Sequence, residues 1–472
     1  MLKINQLNQR LLDTQYAVRG EIVARAQQLE SEGREIIYCN IGNPQALGQL
    51  PLTYIRQTLS LIEYPELLKN PATRAAFPSD IIKRAEHILE QHPYGTGAYS
   101  HSTGITFIRQ AVADFIQKRD GTPIDKDHIM LTDGASKGVQ SVIFALLKNP
   151  NDGVMIPIPQ YPLYSATLTL YGGHQIPYYL DEDNQWSLNE KHLEESIQEA
   201  HKNKINPVAI AIINPGNPTG AVLSPENIEM IIRFAKKHNI SVLADEVYQE
   251  NVYGENRNFH SFAKSMHELK EQDVTLFSFH SVSKGYLGEC GHRGGYLEFR
   301  NVDTNVLDQF VKLQSINLCS NISGQLVTYL MITPPQKGDA SHELFTKEKN
   351  SIIDSLHERA RLLSDGLNKI EGVSLDLPQG AMYAFVKFEL PELTVRQKLT
   401  HEEQVLHDAK RNADYCLKLL EETGICVVPG SGFGQKHGTL HFRITFLPPK
   451  HQLEQLVKKF KQFHEEYILK QF

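Results

Sequence analysis

Val208-Ala-Ile-Ala-Ile-Ile213 runs without a polar residue into Asn214-Pro-Gly-Asn-Pro-Thr-Gly220. An unbroken apolar run of this length marks a strand covered on both faces, as in a parallel sheet packed between helices. The prolines and glycines that follow end it in a turn. The same rhythm extends in both directions. On the N-terminal side the periodicity predicts helix 104–119, strand 128–132, helix 135–148, strand 153–156, helix 161–171, strand 174–179 and helix 189–201. On the C-terminal side it predicts helix 225–238 and strands 240–244, 274–279 and 294–299. Strands alternating with helices over some 200 residues specify an α/β domain: a mostly parallel central sheet flanked by helices.

The flanks read differently. Residues 1–35 read as a polar arm and a helix with Val18, Ile22, Val23, Ala26 and Leu29 at helical spacing. Residues 35–40 form a short strand that enters the turn Gly42-Asn43-Pro44. Residues 51–95 are helical, cut into pieces by Pro51, Pro65, Pro71 and Pro78. A long helix at about 303–331 ends before Thr333-Pro-Pro335. A helix over 342–370 follows, then strand-like pieces at 372–376, 381–388, 425–428 and 438–446, with helices over 402–423 and 449–468. We expect a smaller α+β domain built from the N-terminal segment and the C-terminal third. The expected divisions are 1–50 (arm and part of the small domain), 51–335 (large domain, with 51–95 a helical insert) and 336–472 (C-terminal small domain).

Composition narrows the function. The chain has 472 residues, 41% hydrophobic and 22% charged, which is ordinary for globular proteins and long enough for two or three domains. A formal net charge of −7 argues against a nucleic-acid binder driven by bulk positive charge. The longest clean apolar run is about a third of the ~18 residues a membrane helix needs, and the start, MLKINQLNQRLLDTQ, has no apolar signal core. The five cysteines show no CxxC pair and no metal-ligand cluster, which suits reduced thiols in a cytoplasmic protein. Twenty histidines lie without ligand spacing, so no metal is expected. Gly430-Ser-Gly-Phe-Gly434 looks like a dinucleotide loop but lacks the βαβ setting. The basic tail reads as an amphipathic helix with one solvated face.

In doubly wound sheets ligands bind beyond the carboxyl ends of the strands. Strand 128–132 ends in Asp133-Gly-Ala-Ser136 at a helix start, which serves either as an N-cap or as a phosphate cradle. Strand 208–213 ends in the loop that carries Asn217. Strand 240–244 ends in Asp245-Glu-Val-Tyr248, where the acid either caps a helix or meets a ligand. Strand 274–279 ends in His280-Ser-Val-Ser-Lys284-Gly-Tyr286, a poor place for a merely solvated lysine. Together these ends offer a phosphate cradle, an amide, a carboxylate with a phenol, and an amine. That set fits pyridoxal phosphate: the aldehyde needs a lysine, the ring nitrogen a carboxylate, and the phosphate amides, hydroxyls and an arginine.

Over nearly its whole length the sequence resembles the aspartate-aminotransferase fold family (fold type I), and within it the alanine aminotransferase branch. INPGNPTG (213–220), LADEVYQENVY (243–253), FHSVSKGYLGECGHRGGY (279–296), GAYSHSTGI (97–105), IPIPQYPLYSATL (156–168) and HFRITFLPP (441–449) carry the broad likeness. CNIGNPQALGQLP (39–51), the Glu289-Cys-Gly291 insert and CVVPGSGFGQ within 421–435 carry the alanine branch.

The resemblance implies roles. Lys284 forms the cofactor aldimine and, once displaced, acts as base and acid. Asp245 holds the pyridinium proton, Tyr248 and Asn217 bond the ring oxygen, and Tyr161 stacks on the ring. The Ala135 and Ser136 amides, the Ser136 and Ser281 hydroxyls and Arg293 hold the phosphate, with a Lys-to-Arg spacing of nine. Tyr99 reaches the phosphate from the partner subunit of a homodimer, so the active sites are shared. Arg443 clamps the substrate α-carboxylate, with backbone help at Gly42. The implied activity is a ping-pong transamination, L-alanine plus 2-oxoglutarate giving pyruvate plus L-glutamate, with small amino acids and 2-oxo acids as partners and no nucleic acid, membrane or metal. Two other readings stay open. One is a same-fold enzyme of another outcome, such as an aromatic aminotransferase or an aminocyclopropane-carboxylate synthase-like lyase, which product analysis separates. The other is a non-catalytic regulator, against which the retained Lys284, Asp245 and Arg443 argue.

Overall fold

The computed structural model describes residues 2–16, 20–254, 257–391 and 399–469. Val18 of the N-terminal pattern lies outside them; the helix there runs Glu21–Ser31 and buries Ala26 and Leu29. After a short strand, β1 (Ile37–Tyr38), the chain builds one seven-stranded sheet from β2 (Ile129–Leu131), β3 (Asp152–Ile158), β4 (His174–Tyr179), β5 (Asn206–Ile213), β6 (Ser241–Asp245), β7 (Leu276–Ser281) and β8 (Gly295–Arg300). The order is β2-β8-β7-β6-β5-β3-β4. Strands β4, β3, β5, β6 and β7 are parallel, and β8 runs antiparallel between β7 and β2.

The apolar run in β5 explains this layering. Ala209, Ala211 and Ile213 join a core on one face with Val139, Val142 and Ile143 of helix Ala135–Leu146. Ile210 and Ile212 face the other way, against Ile228, Ile231 and Ile232 of helix Pro225–His238. Each of these isoleucine and valine side chains contributes about 1.5–3 kcal/mol when fully buried. A polar residue at either parity would therefore cost stability, which is why the run does not alternate. Register then levels the carboxyl ends: Ile213 lies opposite Asp245, and Asp245 opposite Phe279. The loops after β5, β6 and β7 thus open on the same edge.

The prolines of 51–95 act as read. Pro65 and Pro71 each open a helical piece, and helices Thr53–Glu63 and Ser79–Gln91 pack into the core that also holds Ile322–Ile332. The expected long helix at 303–331 is instead two, Thr304–Ser315 and Ile322–Ile332. Leu318 adopts φ 67° between them, and the Asn321 side chain caps the second by accepting from the Gly324 N–H.

The C-terminal third forms β9 (Val373–Ser374), β10 (Tyr383–Phe388), β11 (Ile425–Cys426), β12 (Val428–Pro429) and β13 (His441–Thr445). The single piece expected at 425–428 is split: β11 pairs in parallel with β1, while β12 joins the antiparallel sheet β12-β13-β10-β9. The strand expected over 372–376 shortens to two residues. Helices His342–Leu367, His401–Thr423 and Lys450–Leu469 cover this sheet through Leu356, Leu363, Leu419, Leu453 and Phe460. The β1–β11 pairing ties the N-terminal segment to this unit.

Candidate active site

A cavity of about 750 Å³ lies where the ends of β5, β6 and β7 meet the C-terminal sheet. Its wall includes eleven of the twelve residues singled out above: Gly42, Ala135, Ser136, Tyr161, Asn217, Asp245, Tyr248, Ser281, Lys284, Arg293 and Arg443. Tyr99 is not among them; it is 75% exposed on the surface.

Lys284 follows β7, and its Nζ donates to the Gly42 carbonyl at 2.8 Å and lies 5.9 Å from the Tyr248 ring centroid. Gly42 must be glycine here. A Cβ would sit 1.8 Å from the Tyr383 hydroxyl oxygen and 3.0 Å from Lys284 Nζ.

Asp245 closes β6 and is buried. Its Oδ2 accepts from the Tyr164 hydroxyl at 3.2 Å, while its Oδ1 has no hydrogen-bond partner. Burial pushes the carboxyl up to about 6, against the pull of the Val247 backbone N–H, the Tyr164 hydroxyl and the Lys284 ammonium. A buried carboxylate oxygen left open is costly unless a ligand donor meets it.

Asn217 Nδ2 donates toward the Tyr248 hydroxyl at 3.4 Å, and its Oδ1 accepts from Arg443 Nη1 at 3.2 Å. Arg443, on β13 and 1% exposed, also donates from Nη2 to the Asn40 carbonyl. Its Nε has no partner, and it forms no ion pair among the described residues. Its guanidinium carbon sits 4.3 Å from the Tyr383 ring centroid and 4.8 Å from that of Phe433. A buried guanidinium held by neutral groups and two aromatic faces retains an uncompensated charge for an anionic ligand. The glycine-rich 430–434 stretch thus places Phe433 under this arginine, rather than cradling a phosphate.

At the other end, Gly134 (φ 75°) begins helix Ala135–Leu146, whose first amides open on the cavity. Arg293 approaches so closely that a Cβ on Gly134 would lie 2.6 Å from its Nη2. Its guanidinium donates to the Asp133 and Cys290 carbonyls at 3.0 and 3.1 Å. Helix amides beside an arginine suit a phosphate. Ser281 is buried with its hydroxyl turned inward, within hydrogen-bond distance of Ser283 Oγ (3.0 Å) and of the Gly294 carbonyl (3.2 Å), to either of which its one O–H can donate. Tyr161 lines the wall with its hydroxyl 2.7 Å from that of Tyr16.

Sequence reasoning missed Tyr383, Tyr164, Tyr16 and Asn40. Tyr383 is buried at the start of β10, its ring at 87° to that of Tyr248. Burial would raise its phenol, but the Lys284 and Arg443 cations outweigh burial and hold it below its ordinary range. Tyr164 stands one helical turn after Tyr161, and that spacing was the one readable signal for it.

Comparison with known proteins agrees with this geometry. The model of the family "aminotransferase class I and II" matches residues 70–460. The chain is 49% identical to a probable mitochondrial alanine aminotransferase of Dictyostelium discoideum, over 99% of this chain and 90% of that protein. It is 45% identical to glutamate–glyoxylate aminotransferase 2 of Arabidopsis thaliana, over 99% and 96%. The solved alanine aminotransferase of Pyrococcus furiosus superposes with a TM-score of 0.77 at 26% identity, covering 98% of this chain and all of that one. The chain belongs to the class I and II aminotransferase family.

Proposed function

We propose that this protein is an alanine transaminase, converting L-alanine and 2-oxoglutarate to pyruvate and L-glutamate through alternating half-reactions. The observation that carries it is one cavity holding an amine (Lys284), a buried carboxylate with an open oxygen (Asp245) and a buried guanidinium without an acid (Arg443). Members of this family work with pyridoxal 5′-phosphate, and the donor set fits it. Asp245 Oδ1 awaits an N–H donor, the Ala135 and Ser136 amides with Arg293 await an anion, and Lys284 awaits a carbonyl. When bound, the cofactor supplies an aldehyde for amine exchange and a ring that delocalises the electron pair left at Cα.

The chain's own residues do the rest. Arg443 fixes the α-carboxylate through two N–H groups and so sets the orientation of the Cα–H bond. Lys284 Nζ takes up and returns the proton at Cα. With the cofactor bound, Asp245 would hold the ring-nitrogen proton from its buried site, and Asn217 and Tyr248 would bond the ring oxygen. Tyr161, in the cavity wall, would pack against the ring. The relatives' names supply alanine as one substrate and glutamate as another, while glyoxylate, in the name of the Arabidopsis relative, is the 2-oxo acid of glycine and marks a second small acceptor to assay beside pyruvate.

The proposed organisation is a large domain over 51–335, with a small domain from 1–50 and 336–472. It is supported by the β1–β11 pairing. A homodimer with shared sites is proposed on Tyr99, which is exposed with Tyr94, Tyr64, Ile316 and Leu318. Helix Thr304–Ser315 meets the Tyr99 segment there through a Ser315–Ser102 hydrogen bond of 3.0 Å. A partner subunit covering these side chains would remove them from water. The five free cysteines suit a reducing compartment, and we read the cytoplasm; the mitochondrial label of the Dictyostelium relative is the competing site, which fractionation decides. Among the described residues no helix is long and apolar enough to cross a membrane.

The test is product analysis with purified enzyme, L-alanine and 2-oxoglutarate. Pyruvate and glutamate in equal amounts support the proposal. Glutamate formed only from an aromatic donor, or a cyclised or deaminated product, refutes it.

A further inference from the structure

We propose that Arg56 binds the distal carboxylate of the five-carbon dicarboxylic substrates; this rests on the transaminase reading of the same cavity. Among the described residues the cavity wall carries four strong cations: Arg56, Lys284, Arg293 and Arg443. Arg293 stands at the helix amides of Ala135 and Ser136, Arg443 at Asn217, and Lys284 supplies the reacting amine. Arg56 is left without a function, whereas glutamate and 2-oxoglutarate bring one more carboxylate than alanine and pyruvate.

The segment Asn40–Gln45 orders these cations. The Asn40 carbonyl accepts from Arg443, the Gly42 carbonyl accepts from Lys284 Nζ at 2.8 Å, and Gln45 Oε1 accepts from Arg56 Nη2 at 3.1 Å. The succession is α-carboxylate clamp, reacting amine, spare guanidinium. That is the order of α-carboxylate, reacting carbon and distal carboxylate in 2-oxoglutarate.

Arg56 is built for this service. It lies in the first turn of helix Thr53–Glu63, and its side chain is 44% exposed, with room to turn. It spends a single nitrogen on the protein: Nη2 donates both to Gln45 and to Glu289 Oε2, the latter at 2.8 Å. Its Nε and Nη1 donate to no protein group among the described residues and remain for a carboxylate. Glu289 is 2% exposed and anchors Arg56 at the wall when no dicarboxylate is present. His292 points its Nε2 at the same Glu289 oxygen at 3.6 Å, and has no planar fork to offer. Alanine leaves Arg56 on Glu289, so one cavity accepts both substrate classes.

The test uses cofactor-loaded enzyme in three forms: the unaltered protein, Arg56→Met, and Arg56→Met with Glu289→Gln, which spares the fold an unpaired buried carboxylate. Single-turnover rates with L-glutamate and L-alanine are compared. Glutarate and butyrate binding is measured by calorimetry. The expected result is a loss of about 30-fold in glutamate kcat/KM relative to alanine, and a similar weakening of glutarate with butyrate changed far less, as for one charge-assisted pair. An equal fall for both amino acids in both variants, or glutarate binding that does not change, overturns the proposal. If the unaltered enzyme converts neither amino acid, the transaminase reading fails, and the glutarate comparison still decides the role of Arg56.

Discussion

Asp245→Asn should stabilise the cofactor-free protein while crippling the loaded enzyme. The buried carboxyl is pushed from 3.8 up to about 6, so burial disfavours its charged form in the folded state. A raised folded value means that its contribution to stability is fully present below the unfolded pKa, near 4, and is lost as pH rises through about 6. At 1.36 kcal/mol per unit, the cost in the cofactor-free protein reaches about 3 kcal/mol at pH 7.5 and about half that at pH 5. Asparagine removes the charge but still buries an amide with an open edge, which offsets about 1–2 kcal/mol. The variant without cofactor should therefore exceed the unaltered protein by about 1–2 kcal/mol in denaturant unfolding at pH 7.5, and the advantage should vanish near pH 5. Loaded with cofactor, the same variant should lose turnover by orders of magnitude, because a neutral amide does not hold the ring-nitrogen proton. A variant less stable than the parent at both pH values would refute the argument that Asp245 is held at a cost for the ligand.

Two other outcomes follow from the same geometry. Arg443→Lys should lower kcat/KM for alanine, glutamate and both 2-oxo acids together, about 10- to 100-fold for the lost fork, with an unchanged cofactor spectrum; loss confined to dicarboxylic substrates would move the α-carboxylate clamp elsewhere. Lys284→Ala and Tyr99→Phe chains, mixed as heterodimers, should regain activity above the mean of the parents, since one of the two sites then carries neither lesion. Tyr99→Phe alone should weaken cofactor retention by about 1–2 kcal/mol, for one charge-assisted hydrogen bond. A fully active monomer would contradict the shared site.

Much of the site was legible because its residues stand at strand ends. The β5 run, with Ala209, Ala211 and Ile213 to one face and Ile210 and Ile212 to the other, announces a doubly covered sheet. Once that is known, Asn217, Asp245 and Lys284 must open on one edge. What stayed hidden depends on contacts distant in sequence. Tyr383 approaches Gly42 across more than three hundred residues, and nothing local distinguishes it from a core tyrosine. Asn40 acts through its backbone carbonyl, which no side-chain pattern reveals. The break at 316–321 contains no glycine or proline; only Asn321, as a cap, marked it. Arg56 sits on a helix whose apolar stripe explains the helix but leaves the arginine's direction open.

The central claim is that Lys284 is the amine on which the chemistry turns. Borohydride reduction of the cofactor-loaded enzyme, followed by peptide mapping, tests it most directly. The account predicts a label on the peptide containing Lys284, abolished when the enzyme is first exposed to excess L-alanine without a 2-oxo acid. A label on any other lysine, or a Lys284 label that persists after alanine, would contradict it.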